Sequence, residues 1–439
     1  MDKYKRIKQK GKETRKRHKS QDCKVYYCKI DYSHLTKRKR DYFESLFREA
    51  KWLKNYYIAS EDVYKESDKL QVVTVLNKYK QLEERALAHL SSQMKQGILN
   101  GIKDDIKGLS VKKNKGHKVG RLKFKSFVNS INLQQFDNTY KIQNNRFISL
   151  QGFKGRFRVR GLKQIPVNAE IANAKLVRKP SGYYIAITCF LPKQHHNISC
   201  KEIGFDFGIA THITDSDGQK DKWCFTESKR HKKLQRKVNR TYKPGTKSSK
   251  NRNYRKHLCR LEHEKLNNRK NDEINKFISK TKQYDLVGVQ DESIAAWKSS
   301  RMKGWGRSIH YSIMGGMIAG IKKLPQTQIV DKWEPTSQEC IKCGKKTKHS
   351  LDQRTFVCSH CGHSEDRDIH SAKLVLLKAK ALQVAKGIRM DCTNTMPAQD
   401  MTSTYHLFTD DMQVVPMGST HGIPCIEPGK QEAHPFRGG

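Results

Sequence analysis

Four cysteines set the first chemical constraint. They fall as Cys340-x2-Cys343 and Cys358-x2-Cys361, with Gly344 and Gly362 directly after the two pairs. Each CxxC turn presents two thiolates, and two such turns close a tetrahedral sulfur site that suits Zn2+. With no open coordination position, such a zinc is structural. Carboxylates set the second constraint. Asp206 ends the run Ile203-Gly-Phe-Asp, Asp291 and Glu292 follow Leu286-Val-Gly-Val-Gln, and Asp366 and Asp368 lie just beyond the last cysteine, where a helical stretch begins. Acids at strand ends and a helix start can meet at one point although they are far apart in sequence. Two Mg2+ ions about 4 Å apart need such a cluster to activate water and stabilise a leaving oxygen in phosphodiester cleavage. Taken one at a time, each acid equally suits a cap or a turn.

Charge narrows the partners. The 439 residues carry 88 Lys+Arg against 43 Asp+Glu, a net +45. A protein this basic repels itself unless a polyanion relieves it, which points to nucleic acid. No apolar run approaches the ~18–20 residues of a membrane span; the longest is Ser312–Ile321. The basic N-terminus has no apolar segment behind it, so a cytosolic or nuclear protein is expected. The other eight cysteines are scattered, which favours a metal site over a disulfide framework.

The elements that must position these groups can be read in order. Residues 1–20 hold ten Lys/Arg and almost nothing apolar, which predicts a flexible basic arm. Lys24–Ile30 has strand character. Tyr42, Phe43, Leu46, Phe47, Ala50, Leu53 and Tyr57 recur at helical spacing, and a second helix is expected over Leu70–Ile106, with Leu76, Tyr79, Leu87, Leu90, Met94, Ile98 and Ile102 on one stripe. From Val111 to Pro192 the period becomes two. Leu122 and Phe124 alternate with lysines, and Phe157 and Val159 alternate with Arg156, Arg158 and Arg160, an arginine row that either grips phosphates or is simply solvated. Ala174–Leu191, broken at Lys179-Pro-Ser-Gly182, reads as a hairpin. The middle therefore resembles a small barrel interrupted by a helical insert. Strands at 203–207, 211–214, 286–289 and 328–331, with basic helices over 228–282 and a helix over 310–324, predict an α/β layer. Residues 391–439 hold six acidic and two basic side chains and read as a disordered tail.

At this point the motifs match a known pattern. Gly204-Phe-Asp206-Phe-Gly208, Val289-Gln-Asp-Glu292 and Asp366-Arg-Asp368-Ile-His-Ser-Ala resemble the three motifs of a RuvC-type nuclease. A four-cysteine ribbon just before the third motif, preceded by Thr336-Ser-Gln-Glu-Cys340, resembles TnpB, the transposon-encoded nuclease family related to type V CRISPR effectors. The resemblance implies an α+β multidomain fold: a basic arm (1–20), a wedge β-barrel (21–34 and 110–198), a helical recognition insert (35–109), a ribonuclease H-like α/β RuvC domain (199–333 and 364–388), an inserted zinc ribbon that binds target nucleic acid (334–363) and a tail (389–439). It also implies an RNA-guided DNA endonuclease with guide RNA and double-stranded target DNA as partners, acting in the cytoplasm near the nucleoid. Its catalytic acids would be Asp206, Glu292 and Asp368 on Mg2+, with Cys340, Cys343, Cys358 and Cys361 on Zn2+. Glu292 is preferred to Asp291 because it shares a face with Gln290, where the family usually has Glu. Asp366 is assigned the helix cap, and His370, a position often Asn, a structural role or one supporting the metal's ligands, rather than that of a metal ligand itself. The alternatives are a nuclease-inactive RNA-guided repressor, a compact type V CRISPR effector, and a general RNA-binding protein with a ribbon.

Overall fold

A computed structural model describes residues 3–77, 79, 81–193, 200–242, 248–297, 306–350 and 352–387. The acidic tail anticipated at 389–439 lies outside the described residues. The chain divides into two compact units, Met1–His195 and His196–Gly439. None of the described helices is long and apolar enough to cross a membrane.

The first unit begins with a helix, α1 (Lys3–Lys19), where the composition predicted a flexible arm. Its last turn carries Lys16, Arg17, His18 and Lys19, the charges a helix C-terminus favours. The end is also tethered: Arg17 forms a fork on Glu170 at 2.6 and 3.0 Å, and the His18 ring stacks on Phe190 at 3.6 Å. The Arg17 hydrogen bonds, and after them His18 Nε2 at 3.1 Å, hold the Glu170 carboxyl down at about 2.

Strand β1 (Gln21–Ile30) leads to α2 (Lys37–Ala59), and all seven residues of its expected apolar stripe are buried. The long second helix is not found as predicted. Residues 72–86 form a hairpin, β2 (Val72–Leu76) and β3 (Leu82–Ala86), and the helix α3 starts only at Ser92 and runs to Asn114. Two local signals explain the difference. Val72-Val-Thr-Val carries four β-branched residues, which favour strand. Asn77 Oδ1 then accepts from the Tyr79 and Gln81 amides at 2.8 and 3.1 Å, closing an Asx-type turn. Leu76 and Tyr79, placed on the helical stripe, are exposed instead.

The remaining strands are β4 (Ser130–Leu133), β5 (Tyr140–Gln143), β6 (Phe147–Leu150), β7 (Arg156–Arg160), β8 (Glu170–Lys179) and β9 (Gly182–Pro192). With β1 they form an antiparallel sheet in the order β4-β8-β9-β1-β7-β6-β5. Its two edges are joined directly by residues 134–139, and Tyr140 Oη donates to Ala172 O at 3.0 Å, so the sheet curls around its core. That core is Phe157, Val159, Ile185 and Ile187 from the strands against Phe43, Leu46 and Leu53 of α2. The turn between β8 and β9 is Pro180-Ser181, with Gly182 at φ +128, as the sequence indicated. Leu122 and Phe124 do not form a strand. Asn55 takes over the ladder's role there, donating to Lys125 O at 3.0 Å and accepting from the Lys125 amide at 2.7 Å, and Phe124 stays exposed.

The second unit is layered. Strands β10 (Glu202–Asp206), β11 (Ile213–Asp215) and β12 (Lys220–Asp221) are antiparallel. They are followed by the helices α4 (Lys229–Arg240) and α5 (Lys250–Thr281), then β13 (Leu286–Gln290). The short helices α6 (Ile294–Trp297), α7 (Gly306–Tyr311) and α8 (Met314–Ile321) lead to β14 (Thr327–Val330). The helix expected over 310–324 is thus broken at Ser312, whose hydroxyl donates to Ile309 O at 2.9 Å. The sheet order is β12-β11-β10-β13-β14, with β10, β13 and β14 parallel. Hairpin β15 (Thr355–Val357) and β16 (Ser364–Asp366) follows, then α9 (Arg367–Ala385).

Alternation along β10 and β13 divides the work between the two faces of the sheet. Ile203, Phe205, Val287 and Val289 pack with Met314, Met317 and Ile321 of α8 and with Ile274 and Phe277 of α5. On the other face Gly204 and Gly288 pair across the strands. Together they make a notch into which the backbone of α9 settles, since a Cβ on Gly204 would lie 2.3 Å from Ala372 O. Burial on both faces explains why these strands read as unbroken apolar runs.

Candidate metal centres

The glycine notch decides where the acids go. With α9 lying across β10 and β13, the helix start, which carries Asp368, faces the ends of those strands, which carry Asp206 and precede Glu292. Asp206 is partly buried, and its carboxyl is pushed up to about 7, first by burial, then by the negative charges of Asp368 and Glu292. The Ser371 hydroxyl, one turn along α9 from Asp368, lies beside Asp206 and opposes the shift. Asp368 and Glu292 therefore lie near enough for their charges to act on Asp206, and these oxygen donors are of the kind a divalent cation takes. Their oxygens do not form a cluster as tight as 4.8 Å, which among the described residues only two other groups reach.

The neighbouring acids are occupied elsewhere. Asp291 is exposed and ion-pairs with Lys322, while its amide continues the ladder to Val330 O at 2.9 Å. Glu292 is half-buried, and desolvation raises its carboxyl. Asp366 caps α9, accepting from the Asp368 and Ile369 amides at 3.1 and 3.2 Å, and pairs with Lys220 at 2.8 Å. Gln290, in the place where an acid was expected, points away from this work. Its amide nitrogen donates to Asp331 O and Glu334 O at 3.1 and 2.9 Å, and its oxygen accepts from Thr336 Oγ1 at 2.9 Å. Ser371, Thr336 and the Gln290 amide escaped sequence reasoning because their roles depend on contacts between distant segments.

The four cysteines do converge. Cys340 and Cys361 Sγ are 3.6 Å apart, as are Cys343 and Cys358, and all four lie within 4.8 Å of one another. Zn–S bonds of about 2.3 Å imply S···S edges of roughly 3.8 Å, so the set fits a zinc ion. Both turns are built alike: Gly344 and Gly362 sit at φ +69 and +70, and their amides donate back to Cys340 O and Cys358 O. The Cys358 thiol is held down at about 6, chiefly by the amides of Cys361 and His360. Removing the metal with a chelator, or Cys343→Ser, is expected to open the ribbon. Limited proteolysis between 338 and 366 should accelerate at least tenfold, and an unchanged cleavage rate would show that the ribbon stands without metal.

The second tight group, His363, Glu365 and His370, was not anticipated as a cluster, because its members lie on a loop, a strand and a helix. In the first unit the arginine row is neither bare nor free. Arg160 and Arg158 reach the buried Asp31 at 3.0 and 3.8 Å, and Arg156 stacks over Phe147. Arg156 and Arg158 line a groove of about 410 Å³ with Lys39, His34 and Thr36. Fixed guanidinium groups beside a groove suit phosphate oxygens.

Comparison with known proteins places one segment firmly. Residues 323–375, which hold the ribbon, the cap and Asp368, match the sequence family described as Cas12f1-like, TNB domain. In this segment the chain is similar to the compact type V effectors to which TnpB is related. No curated protein matches the chain. Among solved structures, the "Cryo-EM structure of the Cas12f1-sgRNA-target DNA complex" is similar at 12% sequence identity over 77% of this chain and 83% of that one, with a TM-score of 0.46.

Proposed function

We propose that this protein is an RNA-guided DNA endonuclease of the TnpB and compact type V kind. In this reading a guide RNA pairs with one strand of a double-stranded target, and Asp206, Glu292 and Asp368 would hold the divalent metal, two Mg2+ ions, needed for phosphodiester hydrolysis. One observation supports it most: Asp206, at the end of β10, has its carboxyl raised by the charges of Asp368 and Glu292, which stand on other segments. A sheet with an antiparallel trio joined to two parallel strands supports a ribonuclease H-like RuvC domain. The curled sheet supports a wedge, and the net +45 suits a protein that grips an RNA and a heteroduplex through their backbones. The metal, when bound, activates water and stabilises the leaving oxygen. The chain's own residues support the carboxylates: the Ser371 hydroxyl favours the ionised form of Asp206, Asp366 fixes the first turn of α9, and Lys322 keeps Asp291 aside. The ribbon zinc is structural.

The second acid can be tested by substitution. Glu292→Gln is expected to reduce Mg2+-dependent cleavage by at least 10³-fold, a loss on the scale of a removed metal-ion stabilisation, and Asp291→Ala to change it less than about fivefold. The reverse order would move the site to Asp291. For the function as a whole, the chain is expressed with its native flanking DNA and the co-purifying RNA is sequenced. A single abundant RNA ending in a short variable segment is expected, and a broad smear of cellular RNA would overturn the guided reading. The match to a Cas12f1-like segment favours one second reading, a CRISPR effector; a guide bounded by array repeats would identify it.

A further inference from the structure

His370 is fully buried at the start of α9, with its ring stacked on the buried Phe356 at 3.8 Å and 10°. Its Nε2 lies 2.8 Å from Glu339 O. A carbonyl only accepts, so Nε2 carries the proton and the Nδ1 lone pair is left facing inward. That Nδ1 has no hydrogen-bond partner, and neither does the buried Nε2 of His363. Both nitrogens face the same atom: Glu365 Oε2 lies 3.6 Å from His363 Nε2 and 3.6 Å from His370 Nδ1. These distances are too long for hydrogen bonds. Lys373 occupies the other oxygen, Oε1, at 2.5 Å, which leaves Oε2 for the histidines.

Two buried imidazole nitrogens without hydrogen-bond partners face one carboxylate oxygen, an arrangement that a cation among them would satisfy. Two imidazoles and one carboxylate are a recurring ligand set for Zn2+ and other divalent transition metals. Tetrahedral bonds of 2.0–2.2 Å imply ligand separations of roughly 3.4 Å, close to the 3.6 Å seen here. The second-sphere contacts are also in place, His370 bonded through its other nitrogen and Glu365 through its other oxygen.

We infer that His363, Glu365 and His370 form a second transition-metal site, separate from the four cysteines, which joins β16 of the ribbon to the first turn of α9. It would pin that turn two residues from Asp368, so it would steady the acid as well as the ribbon.

The test counts zinc. Nuclease-treated full-length protein is equilibrated with Zn2+, dialysed against excess Mg2+ to fill the carboxylates, and analysed by elemental mass spectrometry. Wild type is expected to hold two zinc ions per chain, and Glu365→Gln and His363→Ala one each. His370→Asn, which keeps a donor for Glu339 O, should also hold one. Zinc-edge X-ray absorption should show mixed sulfur and nitrogen/oxygen ligands in wild type and sulfur alone in Glu365→Gln. One zinc with only sulfur ligands in wild type would overturn the site. Two zinc ions in both wild type and Glu365→Gln would place the second ion elsewhere and overturn it as well.

Discussion

Asp206→Asn is expected to abolish Mg2+-dependent DNA cleavage and, in the metal-free protein, to raise the melting temperature at pH 8. Burial, Asp368 and Glu292 push the Asp206 carboxyl from its ordinary 3.8 to about 7. The native state then holds this proton more tightly than the unfolded chain does. Stability that the protonated acid preserves below about pH 4 is lost as pH rises from there to about 7, and the loss is complete above 7. Asn resembles the protonated acid and never ionises, so it escapes the loss. Each tenfold difference in proton affinity between the two states is worth about 1.4 kcal/mol. Discounted for partial exposure, the gain is on the order of 2 kcal/mol, or roughly 4–8 °C. Thermal scans across pH 4–8 should show the two proteins diverging as pH rises. A constant offset at every pH would mean that Asp206 is not strained by its neighbours.

Gly204→Ala is expected to destabilise the second unit by at least about 3 kcal/mol and to reduce cleavage more than 10²-fold, because overpacking at a backbone contact cannot be relieved by a side-chain rotation. The added Cβ would sit 2.3 Å from Ala372 O and 2.9 Å from the Leu376 amide, so α9 itself has to move. That shift carries Asp368 away from Asp206. Gly101→Ala is the matched control: it lies inside α3 with nothing within 4 Å of a new Cβ. It should stabilise by about 0.5–1 kcal/mol, since alanine is the better helix former. Denaturant unfolding followed by cleavage assays distinguishes the pair. Equal behaviour would mean that the notch does not seat α9.

The sequence was most legible where a local rule acts alone. The cysteine spacing, the α2 stripe, the Pro180-Ser181 turn and the strand ends at Asp206 and Gln290 each follow from neighbours in the chain. It misled where two local signals competed. Around Leu76 and Tyr79 a helical stripe of apolar residues overlapped a β-branched run and an Asn-built turn, and the latter won. At α1 the polar composition concealed a helix whose end is fastened on Glu170 and Phe190. The site was half readable. Motifs marked the candidate acids, but the pairing of Lys322 with Asp291, on which the proposed preference for Glu292 draws, has no sequence signature. Ser371, Thr336 and the grouping of His363, Glu365 and His370 have no sequence signature, because loop, strand and helix meet only after folding.

The central claim, that a bound RNA directs a metal-dependent cut, meets its most direct test in a reprogramming experiment. The variable end of the co-purifying RNA is replaced with an unrelated segment, and the reconstituted complex is given two plasmids in Mg2+, one matching the old segment and one the new. Cleavage is predicted to follow the new segment alone, and Asp206→Asn complexes are predicted to cut neither plasmid. Cleavage indifferent to the RNA segment, or undiminished in Asp206→Asn, would contradict the account.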